Sequence, residues 1–231
     1  MFLYQPENGY RYNSDSIFLY DFIASFLPKG RLLDIGCGVG IISLLLGRDF
    51  DLDISLVDKQ ASMIKYAKHN FGINGFDADI SLSDISDFRS DSTFDFIVSN
   101  PPFYDSAVTQ CEDENINIAR YSHHMPISTL VSAAKNLLKP RGYFILCYDA
   151  KQIDTVLHDL KDANINPETI RFVHSKIDRN AKIAMIAARL GSKSMLKVLP
   201  PFITFDEDGK YSQEAQQILK KADTNSIKGD I

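Results

Sequence analysis

The sequence predicts an α/β fold: a mainly parallel, seven-stranded sheet with helices on both faces and an antiparallel C-terminal hairpin. Three observations predict it. Short apolar runs alternate with segments of helical period through most of the chain, as strand–helix–strand units do. A glycine-rich turn, Asp34-Ile35-Gly36-Cys37-Gly38-Val39-Gly40, joins the first of these strands to a helix. The last two apolar runs have no helix-length segment between them, so they are expected to pair directly.

The elements follow in order. Ser16–Leu27 is expected to be helical, with Ile17, Phe18, Phe22, Ile23, Phe26 and Leu27 at three- and four-residue spacing and Ser14 or Asp15 as the cap. Pro28-Lys29-Gly30 ends it. Arg31–Ile35 is a strand and Ile41–Gly47 begins a helix. Asp53–Val57 is a strand closed by Asp58. Ala61–Phe71 is a helix stopped by Gly72. Ala78–Leu82 and Phe94–Ser99 are strands, the second stopped by Pro101-Pro102 because proline cannot donate to a sheet ladder.

Residues 103–124 are polar and read as a long, functional loop. Ile127–Leu138 is a helix, Pro140-Arg141-Gly142 a turn, Tyr143–Tyr148 a strand and Gln152–Ala163 a helix. Thr169–Ser175 and Ile183–Leu190 form the hairpin, and Leu196–Phe205 is a candidate extra strand. The tail after Thr224 is expected to fray.

The 231 residues, 45% of them hydrophobic and 24% charged, have ordinary globular composition. They are expected to form one domain, with 1–30 as an N-terminal segment and 171–219 as a basic hairpin region. The formal charge is −5, which excludes a uniformly basic nucleic-acid coat protein. The charge is uneven. Residues 1–170 carry 14 basic and 23 acidic side chains, and residues 171–231 carry 11 and 7. Three cysteines without a CxxC pair suggest neither a disulfide framework nor a zinc site. The N-terminus has no basic stretch followed by an apolar run, so a cytoplasmic location and no membrane partner are expected.

Glycines are needed where a turn takes positive φ or where backbone approaches a ligand closely. A dinucleotide fingerprint GxGxxG would place its third glycine at Ile41 or Ser43, so it is absent. The pattern DxGxGxG resembles motif I of class I S-adenosylmethionine-dependent methyltransferases. That resemblance implies a Rossmann-like methyltransferase fold and S-adenosylmethionine as cofactor, with no metal. It implies that Asp34, Gly36, Cys37, Gly38 and Gly40 underlie the amino-acid part of the cofactor, with Cys37 as filler beside the loop. Asp58, with Lys59 beside it, would accept the ribose hydroxyls, and Asp84 the adenine amine; a carboxylate offers only acceptors.

Asn100-Pro101-Pro102-Phe103 follows the fourth strand, sixty residues after Gly40. Consecutive prolines fix a rigid projecting turn. A conjugated NH₂ is a poor nucleophile. The Asn100 side-chain oxygen and the Pro101 carbonyl are suited to hold its two N–H bonds, and Phe103 to stack on its planar ring. The tetrapeptide resembles the (D/N/S)PP(Y/F) signature of N-methyltransferases acting on adenine, guanine or glutamine amide.

The wider chain narrows the substrate. Gln5…Gly9-Tyr10-Arg11-Tyr12…Asp15, the NPPF turn, Arg171–Lys182, Lys197-Val198-Leu199-Pro200-Pro201 and Asp206–Ser212 are similar to the bacterial tRNA N6-adenine methyltransferases that modify adenosine 37 of a valine tRNA. The resemblance runs over about residues 5–219. It implies methyl transfer to that adenosine, tRNA as partner, and an N-terminal segment lying over the cofactor, with Asn100 at the cofactor as well. No obligate protein partner is expected, and a monomer is preferred. The family pattern Ala-Arg-His departs here to Ala119-Arg120-Tyr121-Ser122-His123-His124. Arg120 matches and is assigned to substrate; the histidines are not assigned. Arg11, Lys176, Arg179, Lys182 and Lys193 are candidate RNA contacts, whose affinity would depend on salt.

Same-chemistry alternatives are an rRNA base or a protein glutamine. Only 33 residues precede Asp34, little room for the separate helical domain of glutamine methyltransferases. A non-catalytic RNA-binding module is the alternative of another class; two intact motifs weigh against it.

Overall fold

The computed structural model of the chain describes residues 1–7, 11–102 and 125–231. The predicted loop 103–124, with Phe103, Arg120 and the two histidines, lies outside the described residues, as do residues 8–10.

The described elements are β1 (Phe2–Gln5), α1 (Ser14–Ala24), β2 (Gly30–Ile35), α2 (Ile41–Asp49), β3 (Leu52–Asp58), α3 (Ala61–Asn74), β4 (Asp79–Leu82) and β5 (Phe94–Ser99). They continue with α4 (Ile127–Leu137), β6 (Leu138–Asp149), α5 (Ile153–Asp162), β7 (Ile165–His174), β8 (Ala181–Leu190), β9 (Lys197–Val198), β10 (Phe202–Ile203), α6 (Gln213–Ala222) and β11 (Asn225–Lys228). The main sheet runs β10-β7-β8-β6-β5-β2-β3-β4, with β9 also on β7. Its core is the seven strands that the sequence predicts. β2 to β6 are mutually parallel, and β8 is antiparallel to both β6 and β7.

The chain leaves β2 for β3 and β4 on one side, then crosses to β5 and β6 on the other. Connections therefore diverge at the carboxyl ends of β2 and β5, where ligands bind in open α/β sheets. The glycine turn follows β2 and the Asn100 turn follows β5.

Side chains alternate between two cores, as strand geometry dictates. β6 sends Ile145 and Cys147 to the core shared with α1, α2, α3 and α6, and Phe144, Leu146 and Tyr148 to the core shared with α4 and α5. Each large apolar side chain fully buried here contributes about 1.5–3 kcal/mol.

Several expectations need correction. Helix α1 starts at Ser14 because Asn13 caps it: its side chain accepts from the Asp15 N–H at 3.0 Å. Neither Ser14 nor Asp15 is the cap. The Pro140-Arg141-Gly142 turn is absorbed into β6 as an irregularity: Phe94 pairs with Leu138 but Phe96 pairs with Tyr143. A Cβ at Gly142 would stand 3.0 Å from the Lys139 carbonyl oxygen and 3.1 Å from that of Asp95, so glycine lets the two backbones approach. The Leu196–Phe205 strand is broken at Pro200-Pro201 into β9 and β10. Helix α6 is an element beyond those expected from the sequence; Ser212 caps it by accepting from the Ala215 N–H at 3.1 Å.

The tail does not fray. β11 pairs in parallel with β1, and β1 is held against α3 by two asparagines one turn apart. Asn70 accepts from the Tyr4 N–H at 2.8 Å and donates to the Tyr4 carbonyl at 3.0 Å. Asn74 does the same for Phe2, at 3.1 and 2.7 Å. The two amides present a strand-like edge to β1, so the ends of the chain are tied to the body by backbone pairing. Among the described residues no helix is long and apolar enough to cross a membrane.

Candidate active site

The glycine turn is built for backbone approach. Gly36, Gly38 and Gly40 have φ of 69°, 55° and 84°, a region that side-chain-bearing residues rarely adopt. The three serve different ends. A Cβ at Gly40 would lie 3.1 Å from the Phe71 ring, so Gly40 lets the turn pack on α3. A Cβ at Gly38 would meet nothing within 4 Å; it borders open space. The Gly36 N–H is bound to the Val57 carbonyl at 2.8 Å, which ties the turn to β3.

Asp58 ends β3 and is buried. Its carboxylate accepts from the Gly38 N–H at 2.9 Å and the Gln60 N–H at 2.8 Å. Burial pushes its pKa up, against these two hydrogen bonds.

Asp34 sits beneath the turn at 1% exposure. Ser43 Oγ donates to its Oδ2 at 2.7 Å, and Oδ1 has no partner. Its pKa is pushed up to about 7, by burial first, with the charge of Asp58 adding to it and the Ser43 bond opposing. The Cys37 thiol is buried and pushed up as well, by desolvation and then by Asp58 and Asp34. It is packed inside the turn, 7% exposed.

The Asn100 turn reaches the same place from β5. Ser99 Oγ donates to the Ile35 carbonyl at 2.7 Å, locking the ends of β5 and β2 together. Asn100 Nδ2 donates to Ser16 Oγ of α1 at 3.0 Å.

These elements line one pocket that opens to the surface. Of the residues that the sequence assigns, Gly36, Cys37, Gly38, Asp58, Lys59, Asn100 and Pro102 line it. Asp34, Gly40, Asp84 and Pro101 are not on its wall. Asp34 and Gly40 support the turn from behind. Asp84 accepts from the Ser86 N–H at 3.0 Å and the Ser86 hydroxyl at 2.9 Å, an Asx-type turn whose N–H donation holds its pKa down. That occupies one carboxylate oxygen with local structure.

Sequence reasoning missed Ser16, Tyr12, Gln60 and Met125, which also line the pocket. Gln60 had a usable signal, two residues past the strand-end Asp58. It is buried, and its Oε1 has no partner. Ser16 had none, lying inside an apolar helical run. Tyr12 is placed by its N–H, which donates to Gln5 Oε1 at 3.1 Å. The N-terminal segment thus forms one wall, with Arg11 exposed next to it.

The basic residues divide. β7 runs parallel to β6, so the 175–180 turn of the hairpin stands at the carboxyl edge of the sheet, on the side of the pocket. Lys176, Arg179 and Lys182 belong to this edge. Lys193 follows Gly191 at the other end of β8, where Leu190 pairs with Ile165. A ten-residue strand spans roughly 33 Å, so Lys193 is not part of the same surface. Arg171 is committed to Glu214 at 2.7 Å and lies over the Phe202 ring. Arg189 stacks on Tyr143 with its guanidinium carbon 4.0 Å from the ring centroid.

The model of the methyltransferase small domain matches residues 14–163. A Haemophilus influenzae protein, the tRNA1(Val) (adenine(37)-N6)-methyltransferase, is 31% identical over 200 residues, 82% of each chain. The chain belongs to the methyltransferase small domain family, among the tRNA1(Val) (adenine(37)-N6)-methyltransferases. A Phocaeicola vulgatus protein of the same description is 29% identical over 71% of this chain and 70% of its own. Solved methyltransferases share the fold. The ribosomal protein L11 methylase of Lactobacillus delbrueckii has a TM-score of 0.60 at 17% identity, over 83% of this chain and 84% of its own. A Thermus thermophilus 16S rRNA N2 G1207 methyltransferase, solved with AdoMet and guanosine, has a TM-score of 0.57 at 19% identity over 78% of this chain and 44% of its own. The family match spans both the glycine turn and the Asn100 turn.

Proposed function

We propose that this family member transfers a methyl group from S-adenosylmethionine to N6 of adenosine 37 in the anticodon loop of tRNA1(Val). One observation carries the reading: the glycine turn with Asp58 and the Asn100 turn open into a single pocket. The pocket suits the cofactor on three counts. Gly38 borders open space. Asp58 lines it at a strand end, and Gln60 lines the same wall. Asp84, the residue assigned to the adenine amine, stands off the wall.

When bound, S-adenosylmethionine supplies an electrophilic methyl group on a sulfonium. The protein must make a conjugated amine nucleophilic. Asn100 Oδ1 and the Pro101 carbonyl accept its two N–H bonds, which favours a pyramidal nitrogen whose lone pair leaves the ring. No strong base is required, because the proton departs after transfer. Phe103 is assigned to stacking on the base, worth about 1–3 kcal/mol, against the few kcal/mol needed to unstack adenosine. Lys176, Arg179, Lys182, Arg11 and Arg120 are assigned to the RNA. The reading takes residues 1–231 as one catalytic unit, acting as a monomer in the cytoplasm.

The test is nucleoside mass spectrometry of tRNA from a deletion strain before and after incubation with the purified protein. N6-methyladenosine should appear at one anticodon-loop position with the wild type, and not with Asn100→Ala, which still binds cofactor. Absence of methyl transfer into any nucleic acid overturns the reading. Incorporation into rRNA alone changes the substrate.

A further inference from the structure

We infer that Ser16 is a positioning residue for Asn100: its hydroxyl anchors one branch of the Asn100 amide on α1 and leaves the other branch to the pocket. The inference rests on the methyl-transfer reading above.

An asparagine amide has an acceptor edge and a donor edge of nearly equal shape. A target amine brings two N–H bonds and needs an acceptor. Turned the wrong way, the amide would set N–H groups against N–H groups. Asn100 Nδ2 donates to Ser16 Oγ at 3.0 Å, and this directs Oδ1, on the other branch of the amide, away from α1.

Ser16 is itself held in place. It is 4% exposed and sits in the first turn of α1, where its N–H meets the Asn13 carbonyl at 3.3 Å. Ile17, Phe18, Leu19 and Tyr20 bury the helix immediately after it. On the other side, the Ser99–Ile35 bond anchors the strand end that carries Asn100. The amide is thus clamped between a helix and a strand end, the kind of support that holds a reacting group to sub-ångström tolerance. The hydroxyl is also neutral. It orients the amide without placing a charge in the pocket.

The test has two arms with Ser16→Ala and Ser16→Thr. In the first, side-chain amide resonances are recorded on protein labelled with ¹⁵N-asparagine, with Asn100→Ala as the assignment control. The Asn100 pair should move to the position of an unbonded amide in Ser16→Ala and stay near the wild-type position in Ser16→Thr. In the second, methyl transfer into tRNA is measured with cofactor affinity by calorimetry. Ser16→Ala should lower kcat about 10- to 100-fold, the scale of a misplaced reacting group, with KM for tRNA and cofactor Kd within about twofold. Ser16→Thr should recover most of kcat. A wild-type kcat in Ser16→Ala overturns the inference. So does a loss lying wholly in cofactor Kd, or an unmoved Asn100 resonance. If the wild type methylates no tRNA, the functional reading fails and the resonance arm alone decides whether Ser16 orients Asn100.

Discussion

The Asp58 carboxylate accepts from the Gly38 N–H at 2.9 Å, so the acid at the end of β3 and the most open glycine of the turn after β2 are one unit. The bond crosses between neighbouring strands. It sets the height of the turn relative to the acid, which a ligand touching both would sense.

Asp58→Ala should therefore cost more than one contact. It removes the acceptor that we assign to a ribose and also leaves the Gly38 N–H unpaired. We expect a fall in cofactor affinity of about 100-fold or more, about 2.8 kcal/mol at tenfold per 1.4 kcal/mol. Asp58→Asn, which keeps one acceptor, should fall between. Calorimetric titration of S-adenosylhomocysteine checks both. Equal affinity in wild type and Asp58→Ala would remove Asp58 from the site.

Asp34 gives the protein a pH-dependent stability of unusual sign. Its pKa in the folded chain is pushed up to about 7 from an ordinary 3.8. Between these values the folded state binds more protons than the unfolded state, so this group lowers stability as pH rises from about 4 to about 7. Asp34→Asn keeps an acceptor for Ser43 Oγ and removes the charge. The wild type should lose stability relative to Asp34→Asn across that window, with the gap greatest above pH 7. Urea unfolding of both at pH 5 and pH 8 measures it; a gap independent of pH refutes it.

The division of the basic residues predicts different salt behaviour for different lysines. Each phosphate neutralised contributes a log–log slope of about −0.7 to −0.9. Replacing Lys176, Arg179 and Lys182 together by alanine should weaken tRNA binding and flatten that slope by about 2. Lys193→Ala should leave it unchanged, since Lys193 lies past the opposite end of β8. Filter binding between 50 and 300 mM KCl, a range set by the usual sensitivity of such complexes, separates the two outcomes.

Much of this was legible in the sequence because the signals were local. DxGxGxG and NPP each sit at a strand end, and strand ends follow from short apolar runs closed by Asp58 or by proline. What was not legible depended on contacts between distant segments. Asn70 reads as an ordinary polar residue of α3, yet its partner is Tyr4, 66 positions away. Ser16 and Asn100 are 84 apart. The tail after Thr224 is polar and looks frayed, since nothing in it announces a partner. Its partner is β1, a strand that α3 holds with two amides. Lys193 was grouped with Lys182 by proximity in sequence, and the antiparallel course of β8 separates them.

That dependence of β1 on α3 carries the last prediction. Asn70 is fully buried and makes three bonds: with the Tyr4 N–H, the Tyr4 carbonyl and, through Nδ2, the Val39 carbonyl at 3.0 Å. Asn70→Ala would leave these backbone groups unpaired in the interior, at about 1–3 kcal/mol for each buried group stranded. Asn74→Ala, at the exposed end of the same edge, should cost about 1 kcal/mol or less because water replaces it. If β1 is held as described, Asn70→Ala should do more than lower Tm. Hydrogen exchange at β11, Asn225–Lys228, should quicken, because among the described residues β11 pairs only with β1. The same lesion should reach the pocket through Gln5, which ends β1 and holds the Tyr12 N–H, and weaken cofactor binding several-fold. An Asn70→Ala protein with a lowered Tm but native protection at β11 would show that the tail is secured by something other than the asparagine edge.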